Sequence, residues 1–234
     1  MSKLLCLENS YLRECEAIVE SVDGKDIVLD QTVFYPRGGG QPSDKGLLVS
    51  GSEFQVSEVR KKDGKIIHTL EQEPSFKTGD KVKCVVDWER RHVLMRMHTA
   101  AHVLAALMHK RLGAQITGNQ LEVEKTRFDF SLPDFDREKF EGIVKLANEE
   151  LSKDVELKIY VLPREEAMKI PDVVKLANAL PPSIAQLRIV EIPGIDIQAD
   201  GGTHVKNLKE VGKIDILKLE NKGKDNRRIY FTLI

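Results

Sequence analysis

Cysteine is scarce in this chain: Cys6, Cys15 and Cys84 are three in 234 residues, an odd number with no CxxC pair. That argues against a disulfide framework and a cysteine-only zinc site, and it points to a reducing, cytoplasmic setting. Long apolar runs are also missing; none approaches the roughly 20 residues of a membrane span, so no membrane association is expected. The opening MSKLLCLENSYLREC lacks the apolar core of a signal peptide. Neither sign of charge dominates, with 36 Lys and Arg against 37 Asp and Glu. A globally basic nucleic-acid coat is thereby excluded, while a local basic patch is not. No internal repeat and no low-complexity segment is present. What remains, 31 % charged and 41 % apolar residues, is the balance of a soluble globular protein, and the length suits one large domain or two small ones.

The pattern changes near residue 88. Before it, short β-like runs alternate with turn signals: Glu16–Val22 and Ile27–Phe34 flank Asp23-Gly24, Phe54–Arg60 and Ile66–Leu70 flank Asp63-Gly64, and Val82–Asp87 follows. Asp-Gly between alternating runs is a hairpin signal, and five or six such strands predict a small β-barrel or sandwich. After it, Leu94, Met97, Ala101, Leu104 and Met108 recur at three- and four-residue steps, one face of a helix that Gly113 ends. A second helix is predicted over Asp136–Leu151, capped by Asp134 or Asp136. Strands are expected at Glu156–Leu162, Leu187–Ile192, Lys213–Glu220 and Arg228–Leu233, with helical stretches at Arg164–Lys169 and Val173–Leu180. The fold class expected is α+β: a β-domain over residues 1–89, then an α+β domain over 90–234 whose helix packs on a mainly antiparallel sheet.

Two segments carry chemistry. In Met97-His-Thr-Ala-Ala-His102, two histidines four residues apart leave one helical face and can converge on one ion. Taken alone, such a pair is as often a pair of core or surface histidines. Asp200-Gly-Gly-Thr-His204 changes the balance, because it adds an oxygen and an imidazole donor on a loop whose glycines allow a tight turn. A metalloprotease is disfavoured, since Thr99 stands where HExxH requires Glu. The other segment, Phe34-Tyr-Pro-Arg-Gly-Gly-Gly-Gln41, joins three glycines to a side-chain amide that both donates and accepts. It lacks the GK[ST] ending of a phosphate cradle, and by composition it is equally a plain loop.

Together these residues resemble the alanyl-tRNA editing proteins of the AlaX type, free-standing relatives of the alanyl-tRNA synthetase editing domain. The resemblance runs through Asp30-Gln-Thr-Val-Phe-Tyr-Pro-Arg-Gly-Gly-Gly-Gln41, Met97–His102, Thr126-Arg-Phe-Asp-Phe-Ser131, Asp200-Gly-Gly-Thr-His-Val205, Val211–Glu220 and Asn226-Arg-Arg-Ile229. Length and the N-terminal glycine-rich part match the medium-length form. The resemblance implies a translation-factor-like barrel followed by an α+β editing domain, zinc as cofactor, and hydrolysis of the ester joining serine, and also glycine, to tRNA(Ala). It implies His98, His102, His204 and the residue at position 200 as ligands. There the family's usual Cys is replaced by Asp200. Three readings of Asp200 stand: a ligand, with other divalent metals then admitted; a group behind the ligands or a base acting on water; or an impaired site.

An aminoacyl ester has a good leaving group, so the metal's task is either to acidify a water, to a pKa of about 7, or to hold the substrate's amino group or 3′ end. Serine and alanine differ by one hydroxyl. Thr32 and Gln41 are the candidates to bond it, through resemblance and their chemistry. Gly38, Gly39 and Gly40 form the loop that presents Gln41. For the RNA, Arg90, Arg91 and Arg96 flank the histidine helix, and Lys218, Arg227 and Arg228 belong to a C-terminal stretch from His204 to Ile234 in which eight basic residues oppose four acidic ones. Phe128 and Phe130 read as core. The alternatives are a non-catalytic, metal-stabilised tRNA-binding module, an editing enzyme for another tRNA such as a threonyl-type system, and a zinc esterase for small substrates.

Overall fold

Asp63 and Gly64 both adopt positive φ, +50° and +76°, the pair of values that a two-residue hairpin turn needs to match strand twist. They join two long strands in a computed structural model that describes residues 2–134, 136–171, 173 and 184–234. The chain folds as two units, Met1–Leu94 and Met95–Ile234. The first contains β1 (Lys3–Leu4), α1 (Leu5–Glu8), β2 (Glu14–Asp23), β3 (Asp26–Leu29), β4 (Gln31–Thr32), β5 (Gly46–Ser50), β6 (Ser52–Lys62), β7 (Lys65–Leu70) and β8 (Lys81–Val86). Six of these close a barrel in the order β2-β3-β7-β6-β5-β8. Alternation along the strands turns Ala17, Val19, Ile27, Leu29, Leu48, Val56, Val59, Ile66 and Val82 into one core.

Two features of the barrel differ from the expectation. The run Ile27–Phe34 is not one strand. Asp30 interrupts it, because its carboxylate accepts from the backbone N–H of Ile18 at 2.7 Å and of Gln31 at 2.8 Å, replacing ladder bonds with side-chain ones. And β5, a short Leu-Leu-Val run without polar alternation, completes the closure between β6 and β8.

The barrel also holds a buried histidine. His68 Nδ1 donates to the Ile27 carbonyl at 3.2 Å, so Nε2 accepts from the Thr32 hydroxyl at 2.9 Å. Burial pushes its pKa down to about 4, against the raising effect of the Ile27 carbonyl. Above pH 6.5 both folded and unfolded states carry a neutral ring. Between 6.5 and about 4 only the unfolded state takes the proton, so stability falls as the pH falls, by about 3 kcal/mol in all. Urea unfolding at pH 7 and pH 4.5 is expected to show a larger loss for the wild type than for His68→Gln; equal losses would rule out this residue as the source.

The second unit is built around α2 (Trp88–Leu112), which begins in the first unit and is followed by β9 (Gln115–Leu121), β10 (Thr126–Ser131), α3 (Arg137–Leu151), β11 (Lys158–Pro163), α4 (Arg164–Ala167), β12 (Gln186–Ile192), β13 (Asp196–Ala199), β14 (Ile214–Asn221) and β15 (Asn226–Leu233). Every residue from Met97 to Met108 is buried, so α2 is a central helix, not one that shows a single apolar face. Its buried off-stripe positions add Val103, Leu107, alanines, Thr99 and the two histidines to the apolar stripe. Asp136 caps α3 by accepting from Lys139 N at 3.1 Å. Phe140, Ile143, Val144, Ala147 and Leu151 form its buried stripe.

Both sheets of this unit are antiparallel, in the orders β14-β15-β10-β9 and β11-β12-β13. Phe128 and Phe130 are buried in the first, as core residues. Strands β9 and β13 add to those expected. The helical stretch expected at Val173–Leu180 lies, Val173 apart, outside the described residues. Among the described residues no helix is long and apolar enough to cross a membrane.

Candidate metal centre

Helix α2 directs His98 and His102 to one side, and the loop after β13 brings Asp200 and His204 against them. Asp200 lies among all three rings. Its Oδ1 is 3.4 Å from His98 Nε2 and 3.6 Å from His102 Nε2, and its Oδ2 is 3.3 Å from His204 Nε2. Donors at about 2.0–2.2 Å from a tetrahedral ion lie about 3.4 Å from one another. The four donor atoms also fall within 4.8 Å of one another, so three imidazoles and one carboxylate fit a divalent metal. The histidines are buried, and such a site keeps bulk water from competing for the donors.

The surroundings tune the donors. Burial opposes ionisation of Asp200, yet the neighbouring His98 and hydrogen bonds from His102, His204 and His98 hold its carboxyl well below the usual range. Burial, reinforced by His98, holds His204 neutral despite its bond with Asp200. An ionised carboxylate and a neutral imidazole are the forms that bind metal. His204 Nδ1 meets the Thr99 hydroxyl at 3.1 Å and His102 Nδ1 meets Asp196 Oδ2 at 3.1 Å, which leaves Nε2 of each ring toward the centre.

The two loop glycines act differently from the expectation. Neither Gly201 nor Gly202 has a left-handed φ. Gly202 is required for space: a Cβ there would lie 2.1 Å from His98 Cε1 and 2.3 Å from Nδ1. Its N–H also bonds the Asp200 carboxylate.

Family models match both parts of the chain: tRNA synthetases class II (A) at residues 5–90, and the threonyl and alanyl tRNA synthetase second additional domain at 187–230. Over its full length the chain is 48 % identical to the alanyl-tRNA editing protein AlaX-M of Saccharolobus solfataricus, spanning 99 % of that protein. With the AlaX-M of Methanosarcina barkeri it shares 49 % identity over the whole of both chains. This chain belongs to the AlaX-M family of alanyl-tRNA editing proteins. Alanine–tRNA ligase of Methanococcus aeolicus is 37 % identical over 99 % of this chain, which spans 25 % of that larger protein.

In this AlaX-M family member the glycine-rich segment is a tight turn of the first unit. Gly38 and Gln41 exchange backbone hydrogen bonds of 3.1 and 2.9 Å, with Gly39 and Gly40 at φ +58° and +86° between them. Tyr35 braces the turn by donating from its hydroxyl to the Gly38 carbonyl at 3.0 Å. Gln41 is buried. Thr32, buried as well, holds His68 and accepts from Phe34 N at 3.1 Å.

The six basic residues divide. Arg91 is a correction: it is fully buried, bonded to Asp44 and to the carbonyls of Ser10 and Val33, and presents nothing to a phosphate. Arg227 is a second: it is 3 % exposed and donates to Asn221 Oδ1, Gly223 O and Lys224 O, stapling the β14–β15 turn. Arg96 donates to Val211 O at 2.8 Å, and Arg90 to Ser43 O at 3.2 Å. Arg228 forks onto Asp129 at 2.5 and 3.1 Å. Lys218, 63 % exposed, pairs with Glu220 at 2.5 Å. Sequence reasoning missed Asp196, Gln198 and Thr99, which touch the histidines. The signal for the first two was their two-residue spacing with Asp200 along a strand.

Proposed function

We propose that this protein is a trans-acting aminoacyl-tRNA deacylase that cleaves the ester between serine, and also glycine, and tRNA(Ala), with zinc at the histidine centre, in the cytoplasm. The reading rests on its family membership and, for the chemistry, on one observation: an anionic carboxylate ringed by three imidazoles. A divalent ion bound there supplies positive charge and Lewis acidity toward an ester carbonyl. The chain's own residues hold Asp200 ionised and His204 neutral, fix ring orientation through Thr99 and Asp196, and keep bulk water away by burial. Asp200 is read as the fourth ligand. The barrel of the first unit is read as translation-factor-like, with Arg90, Arg96, Lys218 and Arg228 as the side chains that meet RNA, each by exchanging an internal partner for a phosphate.

Thr32 and Gln41 are proposed to bond the serine hydroxyl. A site built to hydrogen-bond that hydroxyl gains nothing from alanine, which lacks it, and so discriminates between the two esters. The test is deacylation of seryl-tRNA(Ala) and alanyl-tRNA(Ala) before and after chelation and zinc replacement. Serine is expected to be released in a chelator-sensitive way with alanine spared. Gln41→Ala is expected to narrow the discrimination about tenfold, the worth of one neutral hydrogen bond. Turnover of neither ester with zinc present would reject the hydrolase in favour of a tRNA-binding module.

A further inference from the structure

We propose that Asp196 is a positioning residue that aims His102 at the metal centre, an inference that rests on the proposed metal-dependent reading. Strand β13 has a two-residue period, so Asp196, Gln198 and the following Asp200 leave the same face of the β11-β12-β13 sheet. The opposite face, through Ile197 and Ala199, packs into a separate cluster with Leu187 and Ile189. One strand face therefore delivers three polar side chains to α2, one rung apart. The last is the carboxylate among the imidazoles, and the first reaches His102 from the other side of its ring.

The contacts separate the roles of the first two rungs. The Asp196 side chain is wholly buried and meets His102 at Nδ1, at 3.1 Å. An anionic acceptor at Nδ1 keeps the proton there and leaves the lone pair of Nε2 for an ion. Gln198 touches the same ring, but its amide nitrogen is 2.6 Å from Nδ1 and 2.8 Å from Nε2. A group nearly equidistant from both nitrogens selects neither. His204 receives the same service from a neutral group, the Thr99 hydroxyl. His102 is thus held by a carboxylate where His204 is held by a hydroxyl, and it loses more when that support is removed.

The test compares wild type, Asp196→Ala, Asp196→Asn, Gln198→Ala and His98→Ala as full-length proteins. Zinc affinity is read by competition with a chromogenic chelator, geometry from the visible bands of the cobalt(II)-loaded form, and folding from urea unfolding of the metal-free form. Asp196→Ala is expected to bind zinc about 10–100-fold more weakly and to shift the cobalt bands. Asp196→Asn, whose amide oxygen still accepts from Nδ1, is expected to recover part of the affinity. Gln198→Ala is expected to stay within about threefold of wild type, well short of the loss typical of an outer-shell metal support. Wild-type affinity and cobalt bands in Asp196→Ala would overturn the proposal. So would equal losses in the Ala and Asn variants that merely track unfolding of the metal-free form. If wild type and His98→Ala bind zinc alike, the metal reading itself fails and takes this one with it.

Discussion

Asp200→Ala is expected to weaken zinc binding by more than about 100-fold, beyond the loss typical of an outer-shell group, and to abolish chelator-sensitive deacylation. The carboxylate is the only anionic member of the cluster, and its two oxygens contact all three rings between 3.3 and 3.6 Å. Removing it leaves three imidazoles and a hole where the fourth donor should be. Asp200→Cys is expected to do the opposite. A thiolate at about 2.3 Å suits zinc better than a carboxylate, and it selects zinc over harder ions such as magnesium or manganese. Competition titrations with zinc and manganese on the three proteins decide it. Zinc affinity unchanged in Asp200→Ala would remove Asp200 from the ligand set.

Arg91→Ala is expected to destabilise the first unit by about 3–5 kcal/mol, the usual result of leaving a buried charge without its partner. Arg91 and Asp44 are both 0 % exposed. The guanidinium donates Nε to the carboxylate at 2.8 and 2.9 Å and sends its other nitrogens to the Ser10 carbonyl at 3.0 Å and the Val33 carbonyl at 2.7 Å. Asp44 also accepts from Tyr35 N at 2.6 Å, at the root of the glycine turn. The thermal midpoint should fall by more than about 10 °C for a unit of this size. Lysine cannot reproduce the fork, so Arg91→Lys should recover little. Replacing Arg91 and Asp44 together by apolar residues should cost less than either single change, because no unpaired charge remains. A loss below about 1 kcal/mol in the single variants would show the pair to be solvated.

Much of the local structure was legible in the sequence. Both Asp-Gly hairpins form, with positive φ at Gly24 in the first and at both Asp63 and Gly64 in the second. The α2 stripe is buried, and the α3 cap sits at Asp136. The metal candidates fall into two local pairs, two on one helical face and two on one loop, which the fold then brings together. These are properties of neighbours in the chain, and short-range geometry carries them.

The rest depended on which side chains the tertiary fold buries together. Arg91 and Arg227 looked like phosphate contacts because a sequence does not say whether a guanidinium will face water or a cage of carbonyls. The burial of every residue from Met97 to Met108 on α2 followed from tertiary packing on its off-stripe side, which periodicity along one helix does not report. Asp196 became a partner of His102 only through long-range pairing, 94 residues apart in the chain. Composition and local spacing specified the donors and the turns. Packing, which excludes water from some polar groups and leaves others exposed, decided which charges hold the fold together and which are free to act on a substrate.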